Sequence, residues 1–265
     1  MRAFSALTVP CLLALLLGAQ GWSGRLITRM ASTQDAVSMP SQASFVQTEM
    51  RAAAMKLHTR EQAPKEGAAE AKPRENTRDP TVLDYAQFLL DSKEVYQAFE
   101  EVCGSVGALE KFRGTGLERV EPLEKDLKAL AADFDAGVAD LEVAKYGAEY
   151  AAFLRELGEK LTADEAAGAS NEVARFMNHY YNHYFAHTAG GRMIGKKMSK
   201  MLLGGLELEF YQWEGDVKEY MTKVREDIDE MALGWSPEQR QACLDETGKS
   251  FELSGKLLAH LNPEA

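Results

Sequence analysis

The sequence predicts an all-α protein with a single domain. From residue 44 onward Ala, Leu, Glu, Lys and Met dominate, and apolar positions recur at intervals of three and four, the period of an amphipathic helix. The alternation of Val, Ile and Thr that strands require is missing. A chain of 265 residues, less a leader, is the right size for one buried core.

The elements follow in order. "MRAFSALTVPCLLALLLGAQGWSG" has a positive start, an apolar run from Val9 to Leu17 too short to span a bilayer, and small residues where a signal peptidase cuts. "RLITRMASTQDAVSMPSQASF" is rich in Ser, Thr and Ala, poor in acids and carries Arg25 and Arg29, the composition of a transit peptide. Residues 1–45 therefore read as a bipartite targeting region, a signal of about 24 residues and then a transit-like segment, suited to a plastid with extra membranes; simple secretion is the alternative. Residues 46–265 form the domain, with helices expected at 45–62, 80–103, 117–133, 146–161, 171–203, 216–233 and 236–261. Asp79 with Pro80 reads as a cap and first helical residue, and Ser236, Pro237 and Gln239 as a capping box. The charged, turn-rich stretch around 59–80 reads as a loop.

The formal net charge is −11, and residues 1–50 contribute three arginines against Asp35 and Glu49, so the body carries −12. Such a body excludes general nucleic-acid binding, though Arg192, Lys196, Lys197 and Lys200 can form a local basic patch. Beyond Cys11 in the leader, Cys103 and Cys243 are far apart and make neither a disulfide framework nor a zinc knuckle.

The densest chemical signal is "FMNHYYNHYFAHTAGGRMIGKK". His179, His183 and His187 drift by about 40° per step on a helix, so two neighbours could share a metal and three would strain to do so. Neither a His-Glu-x-x-His motif nor paired Glu-x-x-His motifs accompany them, and the interleaved tyrosines favour packed, hydrogen-bonded imidazoles. Adjacent Gly190 and Gly191 inside a helical pattern each cost about 1 kcal/mol relative to Ala, a cost accepted at a kink or where a flat ligand meets the backbone.

"YYNHYFAHTAGGRMIGKK", followed by "LELEFYQWEGDVKEYMTKVRE", resembles the distal helix of plant-type haem oxygenases. "EMRAAAMKLHTREQAPKEG", "FLLDSKEVYQAFEEV", "FRGTGLERVEPLEKDL" and "CLDETGKSFELSGKLL" resemble further segments of that family in the same order, across about 46–262. The resemblance implies an all-α fold holding haem between the first helix and a kinked distal helix. Haem would be substrate and cofactor together, opened by O2 and electrons to biliverdin IXα, CO and ferrous iron.

By the same resemblance His58 is the proximal ligand of the haem iron. Gly190 and Gly191 lie on the haem face and leave room for O2, and His187 occupies the place where animal relatives carry an aspartate. Arg51, Tyr181 and Arg225 hold the propionates, and Phe251 packs near the ring. Some relatives place a lysine where this chain has Met221, with Lys218 and Lys223 as the nearest cations. The implied electron donor is ferredoxin, docking on Lys196, Lys197 and Lys200; a monomer is implied, as are plastid localisation and the absence of a stable membrane span.

Overall fold

A computed structural model describes residues 43–59, 67–68, 78–164 and 171–263, and among these every regular element is helical. Of the expected targeting region, 1–45, residues 1–42 lie outside the described residues. The helices are α1 (Arg51–Leu57), α2 (Val82–Ser105), α3 (Val120–Asp133), α4 (Lys145–Asp164), α5 (Asn171–Ala186), α6 (Arg192–Leu202), α7 (Val217–Leu233), α8 (Pro237–Asp245) and α9 (Thr247–Leu257). No described helix is long and apolar enough to cross a membrane.

Four boundaries differ from the sequence expectation, each for a local reason. The first helix enters through a π turn, Val46–Met50, and ends at Leu57 rather than 62. Good helix formers follow it, yet His58 is extended (φ −71°, ψ 137°) and the backbone of His58 and Thr59 lies against Gly67, so tertiary contact overrides propensity. α2 starts later than Pro80, because Thr81 and not Asp79 is the cap: Thr81 Oγ1 accepts the Asp84 N–H at 3.2 Å, and Asp84 Oδ2 accepts the Thr81 N–H at 2.7 Å. The expected helix 171–203 is interrupted by a second π turn, His187–Gly191, with right-handed helical backbone at both junctions. The last expected helix divides at Glu246 into α8 and α9, ending in a 3-10 turn, Leu258–Leu261. The Ser236–Gln239 capping box with Pro237 is present as read.

α2 packs along α4 and α5 packs against α8 and α9, burying a core of aromatic and aliphatic side chains. Ten residues of α5, from Ala174 to Phe185, are buried, which leaves it the central helix. Asp91 on α2, also buried, accepts the N–H groups of Ala144 (2.8 Å) and Gly147 (3.3 Å) at the start of α4 and a hydrogen bond from His260 Nε2 (2.9 Å). One carboxylate thus ties α2, α4 and the last turn of the chain together.

Candidate functional site

A cavity of about 700 Å³ opens between α1, α5, the π turn His187–Gly191 and α9, with α2 and the segment around Phe210 at its inner end. Its lining is mainly apolar, from Met50 and Ala54 on α1, Phe88 on α2, Phe185 on α5 and Ile194 on α6. Set into this surface are a few polar groups, the usual make-up of a cofactor pocket.

Seven of the eight site residues expected from the sequence line this one cavity: Arg51, His58, Tyr181, His187, Gly191, Arg225 and Phe251. Gly190 is buried beside them in the π turn but is not among the lining residues. His58 closes α1, is 2% exposed and meets the Phe251 ring of α9 edge-on, at 5.2 Å and 70°. Arg225 reaches in from α7: its Nε donates to the Tyr181 hydroxyl at 3.2 Å, and its guanidinium lies 5.4 Å from the Phe185 ring centre. Burial raises the Tyr181 phenol, with Arg225 partly offsetting it, so the hydroxyl stays protonated.

The π turn presents His187 and Gly191 to the same space. His187 Nε2 donates to the Phe210 carbonyl at 2.8 Å, and the two rings stack 4.0 Å apart. Burial pushes His187 down to about 3, so its imidazole is neutral at ordinary pH. A Cβ on Gly191 would stand 3.0 Å from His187 Nδ1, and one on Gly195 would stand 2.6 Å from the Tyr211 ring. Both glycines permit an approach that a side chain would crowd.

The other histidines of the stripe are tied to neighbours, as the interleaved aromatics suggest. His179 Nε2 donates to Glu246 Oε1 at 3.0 Å, and its Nδ1 accepts the Tyr150 hydroxyl at 3.0 Å. Burial opposes the Glu246 charge, but hydrogen bonds from His179 and Arg175 outweigh it and hold the carboxyl at about 2. His183 meets Ser254 Oγ at 3.2 Å, and burial puts it at about 3. Among the described residues no group of three His, Cys, Asp or Glu could hold a metal ion.

On α6, Arg192, Lys196 and Lys200 are exposed at spacing i, i+4, i+8, and Lys197 is half-buried. Met193 and Met201, 56% and 40% exposed, flank that stripe. Neither Lys218 nor Lys223 lines the cavity; Lys223 pairs with Asp227 at 2.5 Å, and Met221 is buried.

Two site-supporting residues escape the sequence reading. Arg119 and Asp126, at 5% and 4% exposure, both bind the backbone of residues 209–212, the segment that carries Phe210. Arg119 precedes the first turn of α3 and Asp126 lies seven residues further on, but charged residues are frequent there, and nothing in the sequence tells which are buried.

Comparison with known proteins adds independent findings. The family model described as "Heme oxygenase" matches residues 47–260. "Heme oxygenase 1, chloroplastic" of Oryza sativa subsp. japonica is 43% identical over 216 residues, covering 80% of this chain and 70% of the relative. A second protein of the same plant, "Probable inactive heme oxygenase 2, chloroplastic", is 38% identical over 181 residues, 68% of this chain and 51% of that one. The crystal structure of heme oxygenase 2 from Chlamydomonas reinhardtii without heme superposes with a TM-score of 0.53 at 18% identity, over 68% of this chain and 84% of that one, and shows a shared fold.

Proposed function

The chain belongs to the haem oxygenase family, and from that premise we propose that it is a plastid enzyme cleaving haem to biliverdin IXα, CO and ferrous iron, with O2 and electrons from ferredoxin, for bilin pigment synthesis. The observation that carries the reading is one cavity whose wall combines His58, an imidazole able to bind iron, with Arg51, Arg225 and Tyr181, able to bind carboxylates. Its volume lies within the roughly 300–1,000 Å³ usual for cofactor sites, and most of its surface is apolar, as a macrocycle requires. The residues fit the group.

Haem, when bound, supplies an iron that takes O2 and a ring whose meso edge is oxidised. His58 would hold the iron through one ring nitrogen. Arg51, Arg225 and the Tyr181 hydroxyl would hold the propionates and so choose which meso edge faces the π turn. Gly191 keeps that side clear of side chains, and His187, neutral and fixed by the Phe210 carbonyl, offers hydrogen bonding without bringing charge. Phe88, Tyr96 and Phe210 close the inner end and exclude bulk water.

The exposed stripe of Arg192, Lys196 and Lys200 supplies a positive face on an acidic body, where an acidic ferredoxin can dock. Changing Lys196 and Lys200 to Glu should raise the KM for ferredoxin roughly 10-fold while haem affinity stays constant; an unchanged KM removes the docking face.

The alternative is a haem- or bilin-binding protein without turnover, since a relative named as probably inactive also matches. Adding haem, recording the Soret band, then supplying ferredoxin, its reductase and NADPH separates the two. Biliverdin formation supports the enzyme, a stable Soret band without turnover supports the carrier, and no haem binding sinks both.

A further inference from the structure

Arg119, the residue just before α3, and Asp126, about two turns further on, converge on residues 209–212. Asp126 Oδ1 accepts the Glu209 N–H at 2.8 Å and Oδ2 the Phe210 N–H at 2.7 Å. Arg119 Nη1 donates to the carbonyls of Gln212 at 2.6 Å and Phe210 at 3.5 Å, and its guanidinium lies 4.8 Å from the Trp213 ring centre. Burying a carboxylate and a guanidinium is costly, so a pair directed at the backbone of Glu209, Phe210 and Gln212 fixes that segment firmly.

What the fixed segment touches is His187. A carbonyl only accepts, so the hydrogen lies on His187 Nε2 and the neutral ring carries its lone pair on Nδ1. Stacked Phe210, together with Tyr96, Tyr211 and Trp213 at ring distances of 5.3 to 5.9 Å, packs the imidazole in place. Nδ1 is directed toward Gly191, 3.0 Å from where its Cβ would stand, at the cavity wall.

We infer that Arg119 and Asp126 are positioning residues that act through the Phe210 carbonyl to lock His187 as the Nε2–H tautomer, making Nδ1 a hydrogen-bond acceptor at the cavity wall. The site then favours a small ligand or water presenting an O–H there, and disfavours one offering only a lone pair. The identity of that ligand rests on the haem oxygenase reading; the tautomer belongs to the chain alone.

Long-range 1H–15N spectra of the haem-free, 15N-histidine-labelled protein at neutral pH read the tautomer directly, with His187→Gln giving the assignment. The expected pattern is one pyrrole-type nitrogen at Nε2 and one pyridine-type nitrogen at Nδ1. In Asp126→Asn and in Arg119→Lys this pattern collapses toward an averaged pair, with faster hydrogen exchange at the Phe210 amide. A wild-type ring protonated at Nδ1 or already averaged overturns the inference, as do folded variants that keep the wild-type pattern. If Arg119→Lys fails to fold by circular dichroism, the wild type and Asp126→Asn decide. Turnover is assayed separately, and its absence would sink the enzyme reading while leaving the tautomer spectra unchanged.

Discussion

α1 and the α5–α6 pair line the same cavity on very different foundations. α1 is seven residues long and is held mainly through the turn before it: Asp229 accepts the Val46 N–H at 2.9 Å, Glu49 pairs with Arg240 at 3.3 Å, and Phe45 meets Trp235 edge-on at 5.6 Å. α5 runs through the core, with hydrogen bonds to α8 and α9 along its length. A short helix with few buried residues of its own opens more easily than a central one, which opens only with the whole domain. The pair thus joins one wall that can yield to an incoming ligand with one that keeps its shape.

The largest expected effect comes from the yielding wall. His58→Ala should alter the ferric haem spectrum and lower biliverdin formation roughly 100-fold or more, the upper end of losses at metal sites; an unaltered spectrum would show that another residue holds the iron. On the firm wall, Glu246→Gln removes the charge that His179 and Arg175 share, and denaturation at pH 7 should register a loss of about 2 kcal/mol. The Glu246 carboxyl is held at about 2, below its ordinary 4.5, so its contribution is complete above pH 4.5 and disappears as pH falls toward 2. The variant should lack that part of the acid dependence, and equal acid profiles would contradict the assignment.

Gly191→Ala probes where the wall meets the cavity. Its Cβ must displace His187 Nδ1 by a few tenths of an ångström, for about 1 kcal/mol in stability; a stabilised variant would mean the wall yields after all. The mildest test is hydrogen exchange. Haem should slow exchange in Arg51–Leu57 by about 10-fold or more and leave α5 almost unchanged, by the linkage of binding to local opening. Equal changes in both would erase the contrast.

The firm wall was also the legible one. Its histidines, tyrosines and paired glycines stand within 16 residues of each other, and helical period alone predicts which of them share a face. The end of α1 at Leu57 is not legible, because Arg60, Glu61 and Gln62 favour helix while the extended backbone of His58 and its approach to Gly67 follow from the fold. Thr81 and Asp79 both precede a helical pattern, and which of them caps it depends on where the Asp84 side chain returns. Arg119 and Asp126 were hidden for a deeper reason: their partners are backbone groups some 90 residues away, and backbone groups leave no mark in a sequence.

A π turn is an α-helix carrying one surplus residue. Deleting one residue between His187 and Gly191 would restore ordinary winding and leave α6 in phase with α5, whereas a one-residue change in the regular turns of α5 would rotate everything beyond it by about 100°. After such a change in α5, Ile194, now buried at the cavity, would swing away, and the Arg192–Lys196–Lys200 stripe would turn from solvent. The cavity wall and the outer basic face are therefore set together by the residue count of α5, so length changes in its regular turns should be far less tolerated than substitutions, while the π turn is the one place where a residue can be lost without turning α6.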